Sequence, residues 1–222
     1  MHQNRRPHLT PIGASRGEIL AIARRYRDQG IRHLVALRGD PPNCSLDVTP
    51  SPDGFADAVE LFAGLMQTAD FDMSVAAYPE THPQAASPEF DIAHPKRKFE
   101  AGARRAITQL FFEPECFLRF RDRCARQGIT QPIVPGILPV VRLPQLLGFA
   151  QRCGASVPAW LVRRLEGLEQ DPMTRQLIAA SIAIDLVERL RREVVREFHF
   201  STLNRAELTY AICHSLGLRT AA

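Results

Sequence analysis

The chain has 222 residues, 45% of them hydrophobic and 23% charged, the balance of an ordinary globular protein with room for one large domain or two small ones. Its net charge of +4 is carried mostly by Arg scattered among Glu and Asp, with no basic face interleaved with aromatics, which argues against a nucleic-acid partner. Five widely spaced cysteines without a CxxC pair argue against zinc and disulfides. The absence of a long apolar run argues against a membrane span, and the expected location is cytoplasmic.

Short apolar runs alternate with longer amphipathic ones along the chain. "PHLTPI" and "RHLVAL" read as strands bracketing a helix, in which Ile19, Leu20, Ile22, Ala23 and Tyr26 recur at helical spacing. Ser15 and Glu18 form a capping box before that helix, and Gly30 is its stop signal. The same alternation continues through "GFADAVELFAGLMQ" as helix, "DMSVAAYP" as strand and "PEFDIAHPKRKFEAGA" as a helix disturbed at Pro95. Then come "RAITQLFF" as strand, "PECFLRFRDRCARQG" as helix and "PIVPGILPV" as strand. Two long helical stretches follow, about 158–168 and 171–192, before the strand "EFHFSTL" and the helix "NRAELTYAICHSLG".

Six strands, each followed by helix, predict an α/β fold with a parallel sheet. A doubly wound sheet and a (β/α)8 barrel both accommodate this pattern, and no GxGxxG or GxxxxGK[ST] follows any strand. Polar groups stand where the strands end: His8 and Thr10, Arg38 and Asp40, Tyr78 and His82, Gln109, and Asn204 and Arg205. That placement favours the barrel, whose active sites are built from the carboxyl ends of several strands. We therefore expect a single domain over 1–222, a (β/α)8 TIM barrel with six strands present and the first two βα units lacking.

Taken together, "HLT", "VALRGDPP", "VAAYPETHPQA", "HPKRKFEAGARRAITQLFF", "PGILPV" and "FHFSTLNRAELTYAICHSLG" closely resemble the methylenetetrahydrofolate reductase family, in the family's order, from Pro7 to Gly217. The resemblance implies a flavoprotein that passes a hydride from NADH or NADPH through FAD to 5,10-methylenetetrahydrofolate, giving 5-methyltetrahydrofolate in one-carbon metabolism and methionine biosynthesis. It implies FAD contacts for His8, Arg38, Gly39, Asp40, Ala56, Tyr78, His82, Ala85, Asp91, His94, Arg97 and Lys98, with Ala56 the weakest match. It further implies a catalytic, folate-facing Asp40, and substrate contacts for Gln109, Gln145 and Arg205.

The residue types suit these roles. Asp40 near the flavin would tune its electronics, and Arg38, Arg97 and Lys98 offer cations to a pyrophosphate. Gly39 lets the backbone approach closely, and Gln109 can both donate and accept. Taken singly, Arg38-Gly39-Asp40 reads as a surface turn, Lys96–Lys98 as a solvated helix face, and Trp160 and the cysteines as packing residues.

Family members carry two further βα units before the "HLT" strand, including a strand whose glutamate is the general acid. No glutamate here matches that motif, and a reading frame begun late is the expected account. The alternative function is an impaired FAD- or folate-binding fragment. The expected partners are folate and the nicotinamide nucleotide, without nucleic acid or membrane, in a homo-oligomer if the whole barrel is made.

Overall fold

The computed structural model describes residues 7–37, 39, 52–80, 88–203 and 206–218, with only the backbone described at 88–91. The elements run β1 (His8–Leu9), α1 (Arg16–Asp28), β2 (His33–Ala36), α2 (Ala58–Thr68), β3 (Asp72–Ala77), α3 (Pro88–Glu100) and β4 (Arg105–Leu110). They continue as α4 (Pro114–Arg126), β5 (Ile133–Ile137), α5 (Leu143–Cys153), α6 (Ala159–Leu165), α7 (Pro172–Arg192), β6 (His199–Phe200) and α8 (Ala206–Ser215). The six strands are hydrogen-bonded neighbours in chain order, the order in which consecutive strands of a (β/α)8 barrel pair. His8 and Leu9 lie opposite Val35 and Ala36, His33 to Ala36 opposite Asp72 to Val75, and Gly136 and Ile137 opposite His199 and Phe200, all in parallel.

The local signals act as expected. The Ser15 hydroxyl accepts from the Glu18 N–H while the Glu18 carboxylate accepts from the Ser15 N–H at 2.8 Å, a complete capping box. α1 closes just before Gly30, whose φ of 78° lies in the left-handed region that glycine enters without a steric penalty. Asp57 caps α2 by accepting from the N–H groups of Val59 and Glu60, both at 2.8 Å.

Three details differ from expectation. Helix α5 was not foreseen: Pro144 at its first turn and Gly148 within it mask the pattern, although Leu146 and Ala150 bury one face at i, i+4 spacing. Strands β1 and β6 are only two residues long. Pro7 and Pro11 flank β1 and supply no ladder donors, and among the described residues β6 pairs with Gly136 and Ile137. Helix α3, expected to be disturbed at Pro95, is continuous through it from Pro88 to Glu100.

The chain forms two compact units, one of residues 2–77 and 92–106, the other of 78–91 and 107–222. In the first, Leu34, Val35 and Ala36 are buried in succession, as are Met73, Ser74 and Val75, which is why β2 and β3 show no alternation of apolar and polar residues. At the amino ends of its strands, Asp72 accepts from Arg105 Nη1 at 2.8 Å and lies 2.9 Å from His33 Nδ1, tying β2, β3 and β4 together.

The second unit holds two apolar clusters. Phe111, Phe117, Ile137, Leu186, Leu190 and Ile212 belong to one; Leu110, Phe112, Val140, Leu146, Leu161 and Leu165 belong to the other. Adjacent Phe111 and Phe112 thus serve opposite sides, as successive residues of extended chain do.

Candidate functional site

In the first unit, the carboxyl ends of β1 and β2 meet where Leu37 N–H donates to Leu9 O at 3.1 Å. Just beyond, Gly39 adopts φ 83°, and a Cβ there would stand 2.8 Å from Thr10 Cβ. Both the backbone angle and the Thr10 side chain therefore demand glycine. The expected reason was a ligand; the nearest reason is Thr10.

His8 is exposed by area, yet enough protein surrounds its ring that partial burial lowers its pKa below the ordinary imidazole value, favouring a neutral ring. Ala56 lies in the segment before α2. Its N–H donates to Glu60 at 2.6 Å, while Arg16 holds the same segment through the Gly54 carbonyl at 3.0 Å and through Glu60.

The cations of α3 lie in the same unit. Lys98 Nζ reaches the Ala76 carbonyl at 3.4 Å, near the carboxyl end of β3, and Arg97 Nη2 lies 3.1 Å from His94 Nδ1. Arg97 is exposed and has no carboxylate partner among the described residues. Arg38, Asp40, His82, Ala85 and Arg205 lie outside the described residues, and for Asp91 only the helical backbone is described.

The second unit carries Tyr78, half-buried after β3, together with Gln109 and Gln145. Gln109 is half-buried at the end of β4, and its side-chain oxygen accepts from the Leu110 N–H at 2.9 Å. That bond uses one of the oxygen's two acceptor positions and leaves the NH2 group available as a donor. Beneath it, the buried Thr108 hydroxyl accepts from the Gly136 N–H at 2.9 Å. The two backbones are so close that a Cβ on Gly136 would fall 2.1 Å from the Thr108 carbonyl oxygen.

Gln145 is exposed on α5 and lines a groove with Val140, Phe149, Thr202, Leu208 and Thr209. Thr209 Oγ1 is buried there without a hydrogen-bond partner. A polar atom buried in this way is rare unless a ligand or water satisfies it. The groove combines apolar walls with few polar groups, the usual make-up of a small-molecule site. Neither Thr108, Gly136 nor Thr209 was singled out by the sequence, since none belongs to a local motif. Trp160, expected as simple packing, also donates to Glu113 at 2.6 Å and lies under Arg164. Cys124 is buried and Cys116 half-buried, and among the described residues no group of His, Cys, Asp and Glu is placed to hold a metal.

Comparison with known proteins bears on what these residues serve. A family model for methylenetetrahydrofolate reductase matches residues 4–217. The 5,10-methylenetetrahydrofolate reductase of Pectobacterium carotovorum subsp. carotovorum is 53% identical over 213 residues, covering 96% of this chain and 70% of that protein. The Escherichia coli (strain K12) protein of the same name is 52% identical over the same lengths. Among solved structures, an uncharacterized protein from Clostridium thermocellum, described as binding two copies of 5-methyl-5,6,7,8-tetrahydrofolic acid, matches with a TM-score of 0.51 at 17% identity. It covers 94% of this chain and 92% of its own, a likeness of fold. On the length and identity of the sequence matches, the chain belongs to the methylenetetrahydrofolate reductase family.

Proposed function

We propose that this chain carries the flavin and folate machinery of a reductase that converts 5,10-methylenetetrahydrofolate to 5-methyltetrahydrofolate, with NADH or NADPH as the hydride source. The family match over residues 4–217 carries the reading. FAD, when bound, supplies the hydride-accepting and hydride-donating chemistry.

The residues present fit that group. Gly39 keeps the carboxyl end of β2 free of a side chain where His8 and Thr10 stand, and the neutral His8 ring can hydrogen-bond without adding charge. Arg97 and Lys98 set cations at one end of α3, suited to phosphate oxygens. Arg38, Asp40, Ala56, Tyr78, His82, Ala85, Asp91 and His94 complete the proposed flavin set by family position, with Asp40 also the proposed catalytic carboxylate.

On the folate side, the Gln109 oxygen accepts from the Leu110 N–H, which leaves its NH2 group available. That NH2 group can donate to an acceptor atom on the substrate or nicotinamide. Gln145 and the unpartnered Thr209 hydroxyl offer further polar contacts within one groove, with Arg205 supplying a cation by family position.

The test is to purify the chain with excess FAD, record its visible spectrum after gel filtration, and follow NAD(P)H oxidation with menadione and then with the folate as acceptor. Retained flavin with turnover on both acceptors supports the reductase. Retained flavin with no folate turnover leaves a binding protein, and a colourless folded product overturns the proposal.

A further inference from the structure

Helix α4 carries three arginines, Arg119, Arg123 and Arg126, along one face at i, i+4 and i+7 spacing. With Cys116, Pro79 and Glu80 they line a cavity of about 350 Å³ in the second unit. Each guanidinium makes only long, weak contacts. Arg119 Nη2 lies 3.8 Å from Cys116 Sγ, Arg123 Nη2 lies 3.4 Å from the Pro79 carbonyl, and Arg126 Nε lies 3.3 Å from the Asp122 carbonyl. Arg123 Nε is buried with no hydrogen-bond partner at all.

Among the described residues, none of the neighbouring carboxylates forms an ion pair with these three arginines. Glu113 accepts from Trp160 at 2.6 Å, Glu115 pairs with Arg189 at 3.4 Å, and Asp122 pairs with Arg121 at 3.0 Å. Glu80 reaches into the cavity, but both of its oxygens accept from the Ser156 N–H at 3.1 Å. The Cys116 thiol is pushed up by burial and then by Glu80, so it stays neutral and provides no counter-charge.

Three like charges around one cavity repel one another, and a buried guanidinium nitrogen without an acceptor is unfavourable. Guanidinium forks match the planar or tetrahedral oxygens of carboxylate and phosphate groups. We infer that this cavity is a binding site for a multiply charged oxyanion, bearing phosphate or carboxylate groups, with Arg123 at its floor and Arg119 and Arg126 at its rim. Glu80 sets a limit on the ligand, which must keep its charged oxygens on the arginine side. The cavity also abuts Pro79, directly after Tyr78, so its occupancy would bear on the backbone that carries that residue.

The experiment is isothermal titration of the full chain with pyrophosphate and, separately, with citrate, at about 0.15 M ionic strength where surface charge is well screened. Arg119→Ala/Arg126→Ala removes the two exposed rim residues, and circular dichroism checks that this variant still folds. Saturable binding of either anion, weakened about tenfold or more in the double variant, supports the site. Pyrophosphate preference marks the natural ligand as a phosphate compound, and citrate preference marks it as a polycarboxylate. Absence of binding by both anions, or equal binding by the folded double variant, overturns the inference.

Discussion

Gly136 and Thr108 show how little tolerance a single contact can have. Their backbones approach so closely that a methyl group on Gly136 has nowhere to go, because the obstructing atom is a carbonyl oxygen of a neighbouring strand rather than a flexible side chain. Gly136→Ala should therefore destabilise by about 3 kcal/mol or more, at or beyond the upper end for overpacking, measured by urea unfolding. Thr108→Val keeps the shape but leaves the Gly136 N–H without its 2.9 Å acceptor, and should lower stability by about 1–3 kcal/mol in the same experiment. Thr209 presents the opposite case. Its hydroxyl is already unpartnered, so Thr209→Val should leave thermal stability unchanged or slightly raised while increasing the KM for folate. A drop in stability with unchanged KM would assign Thr209 to packing alone.

At the scale of elements, the amino ends of β2, β3 and β4 are joined by one carboxylate. Burial pushes the Asp72 pKa up, but Arg105 and His33 together outweigh it and hold the carboxyl below its ordinary value of 3.8. Since the folded pKa is the lower one, the stabilisation is fully present above the unfolded value and is lost as pH falls through the folded value. Asp72→Asn should be about 3 kcal/mol less stable at neutral pH, because Arg105, with its side chain 16% exposed, loses its counter-charge. That deficit should shrink in acid, below about pH 4, as the wild-type carboxyl protonates. Thermal unfolding of both proteins across that range checks the sign, and a deficit that does not change with pH would remove Asp72 as its source.

For the whole molecule, binding and stability are linked. A flavin held by the folded chain alone should raise its unfolding free energy by about 2.7 kcal/mol when free FAD stands about 100-fold above its Kd. A rise in Tm that grows with FAD concentration is the expected result, and a Tm indifferent to FAD would contradict the proposed cofactor. Much of the fold was legible beforehand. Capping at Ser15, the glycine stop at Gly30, apolar strand runs and the family strings all act over a few neighbouring residues, so spacing along the chain suffices to read them. Helix α5 was hidden because Pro144 and Gly148 blur its local pattern, although tertiary burial of Leu146 and Ala150 supports it. The site was legible as a set of residue types, but not as geometry. That Gln109 offers a donor depends on where its oxygen settles, and the closeness of Gly136 to Thr108 joins positions 28 residues apart. Likewise, Arg119, Arg123 and Arg126 line one cavity without an ion-pair partner among the described residues, because Glu115 and Asp122 pair with Arg189 and Arg121 while Glu113 and Glu80 accept from Trp160 and Ser156. The amino-acid sequence alone determined most of the element types and the family, because these follow from local periodicity and from strings of residues. Tertiary structure alone decided which polar groups are satisfied and which are left facing a cavity, because partners distant in the chain make that choice.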